Sequence, residues 1–258
     1  MQRNLRFQIK RFLPDRLISQ AVRWRSVIEI MRSIRGRHPR ECPICGFVGR
    51  FRPCGTQPVV FDGGCPKCRS AGRHRQHHLL LSRHPEWLDG KDVLHVAPEP
   101  CFVNEYYDRA GRYVRGDYDP AEGEVRIDLQ DISFPEASFD LLIAHNVIEH
   151  LPDDRQALAE MYRVLRPGGV ALISAPLIDA WEQTYENPAI VAKSERDLHF
   201  NQDDHYRIYG RDLYDRIRAA GFVLSVDVAK EPEVHRYGLE RGETIFIGGK
   251  AVAEVPSR

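Results

Sequence analysis

The sequence predicts an α/β protein: a mostly parallel sheet covered on both faces, preceded by a small cysteine-bearing module. Three observations lead there. From Lys91 onward short apolar strands alternate with helical stretches, the pattern of a covered parallel sheet. Acidic residues follow successive strands, where open parallel sheets bind their ligands. Two Cys-x-x-Cys pairs stand together ahead of this alternation.

The chain has 258 residues, 42% of them hydrophobic, enough for one main domain and a smaller appendage. Its longest uncharged apolar runs, such as "LLIA" and "VALISAP", fall far short of the roughly 20 residues of a membrane span. No signal-peptide pattern opens it, so the expected location is the cytoplasm. A formal net charge of zero hides an asymmetry: residues 1–40 carry eleven Lys or Arg against only Asp15 and Glu29. Leu17, Ala21, Trp24, Ile28, Met31 and Ile34 recur at helical spacing, which predicts an amphipathic helix over Asp15 to Arg35. This basic arm has two readings, packing on the body or on a second copy as a homodimer, and peripheral contact with an anionic membrane.

"ECPICGF" and "GCPKCRS" place Cys42, Cys45, Cys65 and Cys68 in two tight knuckles separated by a segment containing Gly55, Pro58, Gly63 and Gly64. Two such turns complete a tetrahedral four-thiolate zinc site, and a module this short needs the metal's binding free energy to fold. Cys54 and Cys101 are left as small, partly buried residues. The next stretch, from about Ser70, predicts a helix carrying Arg73, His74, Arg75, His77 and His78, read as a basic, solvated link between two domains.

Strands are predicted at "DVLHVA", "YVRGD", "EVRID", "FDLLIAH", "VALISAP", "FVLSVDV" and "ETIFIGG", the last two as an antiparallel pair with no helix between Val228 and Thr244. Helices fall at about Cys101 to Arg109, Arg155 to Leu165 and Arg211 to Ala220. The stretch Asp179 to Phe200 fits neither period and reads as an insertion facing substrate, with Trp181 and Tyr185 as apolar walls. In "DDHYRIYG", His205, Arg207 and Tyr209 alternate, so an extended segment projects them to one side, either to pin a lid or to meet an acceptor. Asp204 beside His205 is expected to raise its basicity.

"FPEASFDLLIAHNVIEHLPDDRQALAEMYRVLRPGGVALISAP", Phe134 to Pro176, resembles the central half of class I S-adenosylmethionine-dependent methyltransferases of the type 11 kind. The zinc knuckles followed by "RHR", then "VLHVAPE" and "QDDHYRIYGRDL", are similar to a bacterial subgroup of those enzymes with an N-terminal zinc ribbon. The resemblance implies a Rossmann-like seven-stranded sheet of order 3-2-1-4-5-7-6 with its last strand antiparallel. It also implies four segments: an arm to residue 40, a zinc ribbon over 41–70, a linker helix over 71–90 and a methyltransferase domain over 91–252. "VLHVAPEPC" then puts His95 at the family's aspartate, Ala97 and Glu99 at its first two glycines and Cys101 at the third. Adenosylmethionine carries no pyrophosphate, so the turn has only to let backbone pass close to the cofactor, and Glu99 is expected to meet its ammonium or sulfonium charge.

By the same resemblance Asp117, with Asp119 as fallback, accepts the ribose hydroxyls, and Asp128 sits beside the adenine amino group with Leu129 offering backbone to the ring. His145 and Asn146 border the methyl group. His145, His150 and His205 are the candidate bases, with His150 read first as a loop-holding residue. The implied activity is methyl transfer to a small-molecule or glycan-type acceptor. Two alternatives stand beside it: an RNA-directed enzyme using the ribbon and arm, disfavoured because the body is acidic where an RNA face would be basic, and a non-catalytic assembly module.

Overall fold

The computed structural model describes residues 38–55 and 60–252; the arm helix expected over Asp15 to Arg35 lies outside the described residues. Two short hairpins come first, β1 (Pro39–Glu41) with β2 (Val48–Arg50) and β3 (Arg52–Cys54) with β4 (Val60–Gly64). Each hairpin delivers one cysteine pair, and the four sulfur atoms converge within 4.8 Å of one another.

Helix α1 (Gly72–Arg83) leads into the sheet. Its strands are β5 (Asp92–Val96), β6 (Arg112–Asp117), β7 (Val125–Arg126), β8 (Phe139–His145), β9 (Leu165–Ser174), β12 (Val223–Val228) and β13 (Thr244–Gly249). They lie in the order β12-β13-β9-β8-β5-β6-β7, with β13 antiparallel to both neighbours. Numbered along the chain from β5, this is 3-2-1-4-5-7-6. The remaining pairs are parallel.

Side-chain alternation along each strand sorts the core into two layers. Leu94, Val96, Leu142, Ala144, Ala171 and Ile173 face α3 (Asp154–Val164) and α5 (Asp212–Ala219) through Leu158, Met161, Leu213 and Ile217. Val93, Leu141, Ile143, Leu172 and Ile245 face the opposite way, onto Leu80 and Leu81 of α1 and Phe102 and Tyr106 at α2 (Val103–Arg109). The α3 helix starts where Asp153 accepts a hydrogen bond from the Gln156 N–H at 3.0 Å, satisfying one of the donors a helix start leaves open.

Three expectations need correcting. The helix before "LRPGG" ends at Val164, and Leu165 to Gly169 already belong to β9, where the Gly168 N–H, at φ 83°, bonds the Lys250 carbonyl at 2.7 Å. A short helix, α6 (Glu233–Tyr237), occupies the segment expected to have none. The insertion contains β10 (Tyr185–Glu186), paired with β11 (Arg207–Ile208), and α4 (Lys193–Phe200).

The largest departure concerns α1, which is a layer of the sheet and not a solvated link: Arg75, Gln76 and His77 are all buried. Arg75 is fully buried, and four carbonyl oxygens take its guanidinium hydrogens: Ser70 at 2.5 Å, Tyr237 at 2.6 Å, Gly238 at 2.7 Å and Gly63 at 2.8 Å. Its face covers the Phe51 ring at 4.6 Å. One side chain therefore joins β4, the second knuckle and the turn after α6, using the planar array of donors that only arginine has. Gly72 permits the same docking, since a Cβ there would stand 3.1 Å from both the Gly238 oxygen and the Glu240 nitrogen.

Further along α1, imidazoles meet the sheet. His77 packs edge-on against His145 with ring centroids 4.1 Å apart, and no ring nitrogen of either finds a hydrogen-bond partner among the described residues. Burial pushes His77 well below the usual imidazole range and His74 and His145 down to about 4. Glu99 lies among them, 2.9 Å from His95 Nε2, 3.6 Å from His145 Nδ1 and 3.7 Å from His74 Nε2. Burial opposes its charge, and the His95 hydrogen bond together with the neighbouring imidazoles overcomes that, keeping it ionised.

Arg75→Met should strand four carbonyls at this joint and cost at least ~3 kcal/mol, read as a lower urea midpoint. An unchanged midpoint would show that the joint does not stabilise the fold. Acid stability follows from the imidazoles: an unfolded His takes a proton below about pH 6.5, whereas His145 in the fold resists to about 4. The unfolded chain thus binds more protons in that window, so this contribution is complete above pH 6.5 and is lost as pH falls toward 4. His145→Gln should give a shallower acid limb of urea midpoint against pH than the wild type; superimposable limbs would contradict the assignment.

Candidate active site

A cavity of about 630 Å³ opens beyond the carboxyl ends of β5, β6, β7 and β8. That is where a parallel sheet reverses its strand order and leaves a crevice. Its floor is the exit of β5. Ala97 turns there with φ 50°, a left-handed conformation costing an alanine about 1 kcal/mol or more, and its N–H bonds the Gly116 carbonyl of β6 at 2.8 Å. Asn146, after β8, is also left-handed at φ 51°. Left-handed residues at both exits turn the chain beside the open space.

Acidic side chains border the next two exits. Asp117 ends β6, with Oδ1 accepting the Asp119 N–H at 3.0 Å, and Asp128 follows β7, with Oδ1 accepting the Gln130 N–H at 2.8 Å. Each loop is thereby held by one carboxylate oxygen of its own acid. Ile127, Leu129, Val147, Leu151 and Tyr118 supply apolar wall between these acids. The outer rim consists of His150 together with Arg196, Asp204 and Tyr206 from the segment after β9.

Of the residues expected at a site, Ala97, Asp117, Asp128, Leu129, Asn146 and His150 line this cavity. His95, Glu99, His145, His205, Trp181, Tyr185, Arg207 and Tyr209 are not among its lining residues. The reasons are local. His95 occupies the β5 position that faces α2, where Nδ1 meets the Tyr113 hydroxyl at 2.8 Å and Nε2 meets Glu99 at 2.9 Å. Neither side chain fills the cleft.

Arg207 is buried, donating to the Leu151 and Pro152 carbonyls at 2.8 Å each and to Glu186 at 2.8 Å. The Tyr209 hydroxyl donates to Asp154 at 2.9 Å, and Arg216 bridges Asp154 and Glu186. These residues clamp the late segment to the loop after β8. Trp181 and Tyr185 are partly exposed, and the Tyr185 hydroxyl meets His199 Nδ1 at 2.7 Å. Burial and the neighbouring His150 lower His205 below the ordinary imidazole range and outweigh Asp204, which raises it as expected while lying 3.1 Å from His150 Nδ1.

Sequence reasoning missed Tyr118, Gln130, Val147, Leu151, Pro152, Arg196 and Tyr206 in the lining. The run "EHLP" contained a usable hint for Leu151 and Pro152; Arg196 carried none, because it reaches the rim only through the packing of α4, with its guanidinium 3.9 Å over the Tyr206 ring. It also missed Glu149. That carboxyl is 1% exposed, and burial pushes its pKa up to about 8.

In the cysteine module, Cys42 and Cys68 sulfurs stand 3.5 Å apart and Cys45 and Cys65 sulfurs 3.6 Å apart. Thiolates at about 2.3 Å from one tetrahedral ion lie about 3.8 Å from each other, so the four donors fit such an ion with little movement. No helix among the described residues is long and apolar enough to cross a membrane.

Known proteins share parts of this chain. A solved [4+2]-cyclase, SpnF, superposes on 74% of it at TM-score 0.51 and 14% identity, covering 87% of the cyclase; this likeness concerns the fold. A probable S-adenosylmethionine-dependent methyltransferase of Mycolicibacterium smegmatis is 36% identical over 114 residues, 40% of this chain and 44% of that protein. An uncharacterized methyltransferase of Mycobacterium avium is 33% identical over 142 residues, 50% of this chain and 55% of that protein. The chain thus spans about half the length of the relatives it matches. The family described as "Methyltransferase domain" matches residues 93–173, the stretch from β5 into β9 that supplies most of the cavity wall.

Proposed function

We propose that the chain binds S-adenosylmethionine in the cavity at the strand ends and methylates a small-molecule or glycan-type acceptor. One observation carries the reading: two carboxylates, Asp117 and Asp128, stand at successive strand exits around an open, part-apolar cavity floored by the turn at Ala97. A nucleoside with hydroxyl and amino donors suits such a border, whereas a phosphate-rich ligand would need glycines and a bare helix N-terminus. The volume of about 630 Å³ lies in the range of small-molecule sites and leaves space beyond a nucleoside.

Asp117 accepts the ribose hydroxyls, Asp128 takes the adenine amino group, and Ile127, Leu129 and Leu151 sandwich the base. Ala97 and Asn146 offer backbone to the amino acid end. The cofactor, when bound, supplies an electrophilic methyl group on a sulfonium. The protein's part is then proximity and orientation, with the acceptor approaching over the rim of His150, Arg196, Asp204 and Tyr206. His145 stays neutral in its buried cluster, and Glu99 supports the β5 turn through His95. Four cysteines hold a structural zinc ion, and the arm beyond the described residues contacts either a second copy or a membrane surface.

Isothermal titration with S-adenosylhomocysteine tests the cofactor half. Asp117→Asn should weaken binding about tenfold or more, the size of a lost charge-assisted hydrogen bond. Glu99→Gln should change it by less than about threefold, since its partner is His95. Equal affinity of Asp117→Asn and wild type would remove the assignment. Ala97→Gly relieves a left-handed alanine and should keep binding intact while raising thermal stability, or at least not lowering it; loss of binding would show that the methyl group itself contacts the ligand.

A further inference from the structure

Beside the rim, with only His150 reaching the cavity, lies a group that cofactor binding does not use. Glu149, His150 and His205 each offer one ligand atom, and these atoms all lie within 4.8 Å of one another. Two come from the turn after β8 (Ile148–His150), the third from the segment before β11, and the Tyr206 N–H bond to the Glu149 carbonyl at 2.9 Å locks the two strands of chain together. The imidazoles cross edge to face with centroids 4.6 Å apart.

Two features set this cluster apart from ordinary core histidines. Each imidazole has its Nδ1 taken by an acceptor, Asp204 Oδ2 at 3.1 Å for His150 and the Phe200 carbonyl at 3.1 Å for His205. An acceptor at Nδ1 fixes the proton there and presents Nε2 as a lone pair, the outer-shell arrangement of metal-binding histidines. The third group, Glu149, is 99% buried by its 1% exposure, and Oε2 has no hydrogen-bond partner among the described residues. A buried polar oxygen without a partner is costly unless something meets it, and a metal ion bound there would displace the carboxyl's proton.

We propose that Glu149, His150 and His205 bind one divalent first-row transition ion beside the cavity, separate from the four-cysteine site. Two imidazoles and one carboxylate suit ions such as zinc or manganese and leave further coordination positions open. Donors at about 2.1 Å from the ion come within about 3 to 3.5 Å of each other, a closing movement that side-chain rotation supplies. His150 borders the cavity, so the open positions face the acceptor space. The ion takes oxygen ligands there, which assigns a hydroxylated acceptor to this end of the cleft. That last role rests on the methyl-transfer reading; the ion site does not.

Zinc titration by calorimetry, on full-length protein whose cysteine site is already filled, tests the proposal. A second equivalent should bind, and His205→Ala and Glu149→Gln should each weaken it about tenfold or more while the cysteine-held zinc stays at one per chain. No second equivalent, or equal affinity in both variants, overturns the site. Crystals of the wild type soaked in zinc give a readout independent of variant folding: an anomalous peak between the three side chains supports the site, and peaks confined to the cysteines overturn it. Affinity for S-adenosylhomocysteine, measured separately, tells failure of the ion site from failure of the cofactor reading.

Discussion

The reversal of the chain at Ala97 is the constraint on which the site depends. A parallel strand that ends in a crevice must turn within one residue, and the usual solution is glycine, which reaches positive φ without cost. Here an alanine takes that conformation, secured by its N–H bond to the Gly116 carbonyl. The turn and the alternation along β5 send Val96 toward the cavity side and His95 toward α2. Replacing the glycines therefore does not close the cleft. The larger side chains point to the other face, where His95 and Glu99 pair.

That other face explains the position of the cysteine module. Helix α1 follows the second knuckle directly, and it covers the sheet with Leu80 and Leu81 while Arg75 binds the module to the chain after α6. The four cysteines bring the hairpins together, and Arg75 ties that module to α1 and the chain after α6. The histidine cluster lies at this junction, so α1, the β5 turn through Glu99 and the end of β8 through His145 form one packed unit. The cavity floor and the cysteine module are thus joined through packed side chains.

Much of this was legible in the residues. Strand positions followed from short apolar runs between turns, and Asp117 and Asp128 could be placed because a strand end is easy to find in such a pattern. What escaped has a common cause: the partners are backbone groups distant in sequence. Arg75 looked solvated because nothing nearby in the chain announces carbonyls at Gly63, Tyr237 and Gly238. Arg207 alternated correctly with His205 and Tyr209, yet its donors go to Leu151 and Pro152. Glu99 was misjudged for a related reason, since a free carboxylate beside a cofactor turn and one paired with a histidine four residues earlier look the same in sequence. The helix stops just ahead of "LRPGG", and tertiary pairing with β8 and Lys250 extends the strand back through it.

The central claim is that carboxylates at the strand ends, over the turn at Ala97, hold an adenosyl group. A crystal structure of the protein with S-adenosylhomocysteine tests it most directly. The account predicts ribose hydroxyls within hydrogen-bond distance of Asp117 and the adenine edge against Asp128 and Leu129, with the sulfur directed toward His150. Density for the nucleoside elsewhere, or an unfilled cavity at saturating ligand, would contradict it.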